Sequence, residues 1–250
     1  MDRKKGIVAM LDILGYSSLI ENNDVGENTA KILDIINSLP KNEVEKRYQK
    51  YDREKLKEVV SSISYLVFSD TILLTIEVDE KHNTLKGIYW GVALQTLSNL
   101  FKSFLDNGLP LRGAVSYGEY ITRDFCFAGK PIINAYRFGN TLNSAGILID
   151  EYALAEIVNC ASEDESLKGI FAMNYLTHKT KDGAEDNNYF VSLFLPYSQE
   201  DRLRLSNARE LIIYLTKSFT AHNKGLSEDG KNKLDNTILL FEQSFKYKPD

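Results

Sequence analysis

The chain has 250 residues, of which 43% are hydrophobic, and its formal net charge is −5. This length and apolar content suit one well-packed domain, and the acidic balance argues against a general nucleic-acid-binding surface. Two cysteines without metal-type spacing and three scattered histidines argue against a disulfide framework, a zinc enzyme or a serine–histidine triad. The apolar run after the charged N-terminus is too short for a signal peptide or a membrane span, which predicts a soluble, cytoplasmic protein.

The first quarter of the chain predicts one strand followed by helix. Residues 6–13 (GIVAMLDI) form an apolar run that ends just before Gly15, which is typical of a buried strand. Apolar residues then recur at helical spacing over 32–39, and Pro40 is expected to end that helix. The charged stretch 41–57 is interpreted as a solvated helix or a loop.

Two strands and a helix are predicted next. Residues 59–68 and 71–78 are rich in β-branched and apolar residues, and Ser69–Asp70 between them favours a tight turn. The second run alternates apolar and polar residues, as a strand does when only one face is buried. Apolar residues at helical spacing over 94–104 indicate an amphipathic helix, which is expected to end at Asn107–Gly108.

The following segment predicts a second hairpin and a helix. Residues 109–121 favour a strand that turns at Gly118 and pairs with a partner continuing through 125–129. Residues 131–145 favour a helix that begins at Pro131, because proline is well suited to the first helical turn.

The last hundred residues predict a short strand, a hairpin and further helices. Residues 147–150 favour a strand and 151–158 a helix, and 161–168 is an acidic loop. Residues 169–178 and 187–195 favour a final hairpin. Two amphipathic helices are expected in the tail, over 208–219 and 234–245.

The order of these elements contains a βαββαβ unit with antiparallel hairpins. That order predicts an α+β fold with a ferredoxin-like core. The expected organisation is a domain over residues 1–195, followed by a C-terminal helical extension over 196–250 that packs on it.

Two aspartates stand near the tips of the predicted strands. Asp12 ends the first strand before the Gly15 turn, on the same strand face as Val8 and Met10, where an unpaired carboxylate is costly. Asp70 lies in the turn between the next two strands. Two carboxylates at strand ends suggest a two-metal site for phosphoryl transfer.

Four segments in chain order resemble the motifs of the class III nucleotidyl cyclase catalytic domain. LDILGYSS resembles its D-I-x-G-F-S/T segment, FSD its second metal position, LRGAVSYGE its R-x-G-I-x-x-G segment, and GKPIINAYRFGNTLNSAGILI its G-x-x-V-N-x-A-x-R segment. The resemblance covers roughly residues 6–150, with a weaker continuation to 195. Each motif alone is weak, but four in the right order on the right elements are fairly specific.

The resemblance implies a metal site and a phosphate site. Asp12, Asp70 and Ile13 would bind two Mg²⁺ or Mn²⁺ ions, which activate the ribose 3′-hydroxyl and neutralise the triphosphate. The amides of residues 13–16 would face the β- and γ-phosphates at the start of a helix. The substrate-binding residues of this turn would be Leu14, Gly15 and Tyr16.

The resemblance also implies a homodimer with two shared active sites. Arg137 matches the arginine that stabilises the α-phosphate in the transition state from the other subunit. The family's asparagine should stand at position 133, which is Ile133 here, and Asn134 is its candidate replacement. Arg112 is interpreted as bracing the sheet or the dimer. Lys179 and Lys181 are interpreted as a solvated turn, with contact to the triphosphate as the alternative.

The positions that select the base depart from the common pattern. Adenylate and guanylate cyclases carry lysine or glutamate four residues before the second metal aspartate, whereas this chain has Leu66, which cannot hydrogen-bond to a base. The partner position is Cys126. Leu66 therefore argues against an ordinary adenylate or guanylate cyclase, and the short, stand-alone chain looks most like the bacterial Pycsar pyrimidine cyclases.

That likeness implies a uridylate or cytidylate cyclase of antiphage defence. It would convert UTP or CTP into cyclic UMP or cyclic CMP and pyrophosphate, and a separate effector protein would read the product. No nucleic-acid or membrane partner is expected. Two alternatives stay open: an adenylate or guanylate cyclase with the same fold, and a degenerate cyclase domain that binds nucleotide without catalysis.

Overall fold

The computed structural model describes residues 2–23, 26–50, 53–79, 83–124, 126–163 and 173–246. Within these residues one mixed sheet is surrounded by helices. The strands are β1 (Asp2–Ile13), β2 (Ile63–Phe68), β3 (Thr71–Glu77), β4 (Leu111–Arg123), β5 (Cys126–Gly129), β6 (Gly146–Ile149), β7 (Met173–Lys179) and β8 (Glu185–Val191). The helices are α1 (Tyr16–Glu21), α2 (Glu27–Lys50), α3 (Glu54–Ser61), α4 (Asn83–Asp106), α5 (Lys130–Gly139), α6 (Glu151–Glu163), α7 (Gln199–Leu205), α8 (Ala208–Thr220) and α9 (Glu228–Lys246).

The strand order confirms the predicted α+β, ferredoxin-like core. The sheet runs β2-β3-β1-β4-β6-β8-β7, and β5 pairs with β4. In the first four strands β1 lies between β3 and β4 and is antiparallel to both, while β2 pairs with β3. Helices α1–α3 connect β1 to β2, and α4 connects β3 to β4, which completes the βαββαβ order. The β4–β6 pair is parallel.

The two faces of β1 have different roles. One face carries Ile7, Ala9, Leu11 and Ile13 into the main hydrophobic core, which also takes in α4. The other face packs into a much smaller apolar cluster that includes Val8. Asp12 lies on this second face, near the end of β1. The alternation of side chains along a strand therefore keeps Asp12 out of the core and directs it to the face next to α5.

Helix α5 packs closely on β4 through two glycines. A Cβ on Gly139 would lie 2.7 Å from the backbone carbon of Gly113, which is closer than real Cβ atoms approach backbone. Gly113 itself faces the backbone of β1, where a Cβ would meet the Met10 oxygen at 2.1 Å. The position of α5 over the end of β1 thus depends on the absence of side chains at these two points.

We expect Gly139→Ala to destabilise the protein by about 1–3 kcal/mol, because the added methyl group must push α5 away from β4. Urea unfolding would measure the loss. Gly230→Ala is the matched control, since a Cβ there makes only ordinary contacts, the nearest at 3.4 Å. An alanine at 139 that leaves the unfolding free energy unchanged would contradict this account of the packing.

Two predictions about the second and third helices were wrong. Helix α2 does not end at Pro40 but continues to Lys50, with Pro40 buried inside it. Packing of its second half on α4 offsets the cost of an internal proline: Glu43 accepts a hydrogen bond from Ser103 (2.9 Å), and Arg47 donates to Gln95 (3.3 Å).

The strand predicted over 59–68 begins only at Ile63. Val59 and Val60 are instead buried residues of α3, where packing overrides their preference for strands.

Two further boundaries differ from the predictions. Gly118 is not a turn but an interior residue of β4, paired with Gly6, and the chain turns at Asp124, which has a φ of 54°. Gly118 has a φ of 154°, a backbone conformation that glycine adopts readily, so the glycine that resembled a turn signal serves an extended strand instead. Helix α5 ends at Gly139 rather than at 145. Most of the predicted acidic loop, and the first part of the hairpin after it, lie outside the described residues.

The C-terminal helices pack against the sheet and α4. Phe241 of α9 contacts Phe101 of α4 and Phe194, with ring centroids 6.3 and 5.2 Å apart. Thr237 Oγ1 accepts a hydrogen bond from the amide of Ala145 (2.9 Å). The division of the chain at residue 195 remains a prediction. No helix in the described part of the chain is long and apolar enough to cross a membrane.

Candidate active site

The fold brings the carboxylates of Asp12 and Asp70 together. Asp12, next to the last residue of β1, lies opposite Thr71, the first residue of β3. The amide of Ile13 donates a hydrogen bond to the Asp70 carbonyl oxygen (3.0 Å). The turn before β3 includes Ser69 with a φ of 58°, which reverses the chain tightly enough to hold Asp70 beside the end of β1. The Asp70 carboxylate is close enough to Asp12 to raise the pKa of Asp12.

Arg112 completes this cluster from the neighbouring strand. It lies opposite Asp12 on β4, is buried, and its Nη2 donates to Asp12 Oδ2 at 2.8 Å. The same guanidinium donates to Asn140 Oδ1 (3.3 Å) and to the Leu142 carbonyl oxygen (3.4 Å), so it links Asp12 of β1 to the segment after α5. The sequence indicated a bracing role for Arg112 but not this direct contact with Asp12.

The electrostatics of the pair favour a bound cation. Burial raises the pKa of Asp12 above its usual value, Arg112 opposes that rise, and the nearby Asp70 carboxylate adds to it. Because the folded pKa of this acid lies above the unfolded one, its ionisation lowers stability as the pH rises from about 3.8 through the folded pKa. A divalent cation between the two carboxylates would remove the repulsion that contributes to this cost.

Two cavities open on the cluster. One, of about 280 Å³, is lined by Asp12, Asp70 and Arg112, by the turn 13–18 and by residues between Lys224 and Lys233. The other, of about 290 Å³, reaches the same three charged side chains from the side of Tyr136 on α5. The carboxylates therefore face space that could admit a ligand from two directions.

The side chains at this site suit magnesium or manganese, which can take further ligands from water and substrate. They do not suit a metal that needs three or more protein ligands. In the described part of the chain, no group of three histidine, cysteine, aspartate or glutamate side chains converges on a point. Magnesium is commonly held by one or two carboxylates together with waters and substrate phosphates. Asp12 and Asp70 supply that minimum, with Ile13 adjacent at the end of β1.

The turn after Asp12 differs in part from the expectation. The amides of Ile13 and Leu14 are already bonded, to the carbonyl oxygens of Asp70 and Pro110 (3.0 and 2.9 Å), so these two are not free to face phosphates. Gly15 has a φ of +77°, which a side chain rarely adopts, and a Cβ there would lie 3.2 Å from Lys224 Cδ. Gly15 and Tyr16 line the 280 Å³ cavity.

Asn134 and Arg137 lie elsewhere in the same chain. Both line a third and larger cavity, of about 590 Å³, between α5, α6 and the β7–β8 hairpin. Its polar and aromatic lining includes Tyr152, Tyr175 and Asn187. Neither Asn134 nor Arg137 lines either cavity beside Asp12, so a single chain does not bring the predicted catalytic and metal-binding residues together.

Leu66 and Cys126 are separated from both groups. Leu66 packs against the small apolar cluster of Val8, Leu73 and Tyr120, while Cys126 is exposed on β5. Neither lines the cavities described above. Their assignment to base recognition stays a prediction.

Sequence reasoning missed the lysines at this site that come from the tail. Lys224 and Lys233 line the 280 Å³ cavity, and nothing in the pattern of residues 224–233 relates them to Asp12. Lys181 lies close by: its Nζ is 3.5 Å from Asn140 Oδ1, and burial, followed by the charges of Arg112 and Lys233, lowers its pKa. Only the folded chain brings these cations to one place.

Comparisons with known proteins give a distant likeness of fold. No protein-family model matches the chain, and no curated protein matches it. One similar solved structure is the catalytic core of a rhodopsin-guanylyl cyclase with converted specificity in complex with ATPαS. It has 13% identity and a TM-score of 0.49 over 76% of this chain and 97% of that chain.

A second similar structure is a class III adenylyl cyclase-like ATP-binding protein from Pseudomonas aeruginosa. It has 13% identity and a TM-score of 0.47, and the match covers 98% of this chain but only 43% of that chain. Both similar structures thus come from proteins described as cyclases or cyclase-like.

Proposed function

We propose that the chain is a metal-dependent nucleotidyl cyclase that acts on a pyrimidine nucleoside triphosphate. The single observation that carries this proposal is the pair of carboxylates, Asp12 and Asp70, held beside buried Arg112 in a cavity. The proposed reaction converts UTP or CTP into the 3′,5′-cyclic nucleotide and pyrophosphate.

The reaction forms one bond and breaks one. The ribose 3′-oxygen attacks the α-phosphorus and loses its proton, and the bond from the α-phosphorus to the oxygen bridging it to the β-phosphate breaks, so that pyrophosphate leaves. Divalent ions, when bound, supply Lewis-acid activation of the hydroxyl and charge neutralisation at the phosphates. Asp12 and Asp70 would hold those ions, and Arg112 would keep Asp12 oriented towards them.

A second copy of the chain would supply the remaining groups. Arg137 and Asn134 line the separate 590 Å³ cavity, which is large enough for a nucleotide, and we propose that the metal-binding end of one subunit faces this cavity of the other. Large apolar side chains on the chain's surface support such a contact: Phe68, two residues before Asp70, is 77% exposed, and Ile133 and Tyr136 of α5 are also exposed. Arg137 of the partner subunit would then stabilise charge on the α-phosphate.

The choice of a pyrimidine rests on the resemblance and on Leu66. An apolar side chain packed among Val8, Leu73 and Tyr120 offers no hydrogen bond that could distinguish adenine from guanine. With that resemblance, we propose a role in antiphage defence, in which a separate effector reads the cyclic nucleotide.

We expect purified protein with Mn²⁺ to convert UTP or CTP into the cyclic nucleotide faster than ATP or GTP. The measurement is a parallel assay of the four nucleotides with product identification by mass spectrometry. Equal or faster turnover of ATP or GTP would overturn the pyrimidine assignment but keep the cyclase. Absence of cyclic product from all four would favour a non-catalytic nucleotide-binding domain.

A further inference from the structure

The cavity beside Asp12 and Asp70 is closed on one side by the tail of the chain. Its lining includes Lys224 and Lys233, which lie beyond the cyclase-like motifs and even beyond the predicted first domain. These two lysines come from the loop before α9 and from the second turn of α9. The pocket of the proposed reaction is therefore built partly from a segment that no motif covers.

The tail segment that lines this side of the cavity (residues 224–233) is held in place by hydrogen bonds. Lys224 is buried, and its Nζ donates to the carbonyl oxygens of Gly108 and Ser218. Further along, Asn236 Nδ2 donates to the Asn143 carbonyl oxygen (2.9 Å). The latter bond and the neighbouring Thr237–Ala145 bond attach α9 to the same 140–145 segment that Arg112 contacts. These bonds hold the first turns of α9, which carry Lys233, next to the segment that Arg112 contacts.

Several cations lie close together on this side of the cavity. Lys233 is paired with Asp229 one turn earlier on α9, and it lies near enough to Lys181 for their like charges to repel each other. Arg112 adds a third positive charge to the group, and Asp12 and Asp229 offset part of the repulsion. Cations held close together in a cleft favour a polyanionic ligand, because the ligand relieves their repulsion and accepts charge-assisted hydrogen bonds.

We propose that Lys233 is a phosphate-binding residue of this pocket, which contacts the outer phosphates of the triphosphate from within the same chain as Asp12 and Asp70. The proposal rests on the proposed function for the identity of the ligand. In the absence of a ligand Asp229 balances the Lys233 charge, and the bound triphosphate takes over that role. The tail is on this account part of the active site.

The test measures binding of inorganic triphosphate to the full-length protein by calorimetry. We expect Lys233→Met to weaken binding about tenfold, the size of the loss when one charge-assisted hydrogen bond is removed. Lys233→Arg should bind within about threefold of the wild type, since it keeps the charge. Lys231→Met is the matched control, an exposed lysine on the same helix that does not line the cavity, and it should bind like the wild type.

The possible outcomes separate this inference from the proposed function. Wild-type binding by Lys233→Met, or an equal loss in Lys231→Met, overturns the role of Lys233 even if the protein is an active cyclase. A wild-type chain that binds no triphosphate also overturns it. A tenfold loss in Lys233→Met from a protein that makes no cyclic nucleotide keeps the inference and refutes the reaction. Lys233→Gln, with a melting curve for each variant, provides a second neutral substitution if the methionine variant does not fold.

Discussion

Replacing Asp70 with asparagine should reduce turnover by about three orders of magnitude while the protein stays folded. The carboxylate is one of two that face the cavity beside Arg112, and losing it removes one ligand of the proposed metal ions. Metal stabilisation of charge in such a reaction is worth several kcal/mol, and each 1.4 kcal/mol or so corresponds to a factor of about ten in rate. The measurement is kcat with Mn²⁺ and the preferred nucleotide, together with a melting curve.

The matched control for Asp70→Asn is Asp34→Asn, which changes an exposed carboxylate on α2 that lines neither cavity beside Asp12. It should leave kcat within about twofold of the wild type, as expected for a surface substitution. A kcat for Asp70→Asn within tenfold of the wild type would contradict the metal role. If the wild type shows no turnover and Asp70→Asn only weakens nucleotide binding, the protein is a binding domain instead.

Mixing Asp70→Ala chains with Arg137→Ala chains should restore about a quarter of wild-type activity, although each variant alone is nearly inactive. If subunits pair at random, half of the dimers are mixed, and each mixed dimer rebuilds one of its two sites. The physical basis is the separation seen within one chain, where Arg137 lines a different cavity from Asp70. The assay is specific activity as a function of mixing ratio.

The control for this experiment is a mixture of Asp70→Ala and Asp12→Ala chains. Both substitutions remove the same half of the site, so no pairing of these chains rebuilds an intact one, and the mixture should stay inactive. Recovery in the control would mean that the signal comes from something other than a shared site. No recovery in the Asp70→Ala and Arg137→Ala mixture, when labelled subunits are seen to exchange, would contradict the composite active site.

Local patterns in the sequence were sufficient for the core of the fold. The apolar run that ends at Asp12, the hairpin around Ser69–Asp70 and the proline-initiated helix α5 each depend on neighbouring residues, and their order alone predicts the ferredoxin-like arrangement. Predictions were wrong where distant packing outweighed local preference. Pro40 remains inside α2 because that helix packs on α4, and Gly118 remains in a strand because β4 pairs with β1 along its length.

The candidate site, like the fold, was predicted from the sequence only in part. The sequence by itself determined which carboxylates to consider, because Asp12 and Asp70 stand at strand ends that can be recognised from apolar periodicity. Only the tertiary structure decided that Arg112 pairs with Asp12 and that Lys233, more than two hundred residues after Asp12, lines the cavity beside Asp12 and Asp70. Such neighbours are set by how the sheet and α9 pack, and long-range packing leaves no periodic signal in the chain around a single lysine.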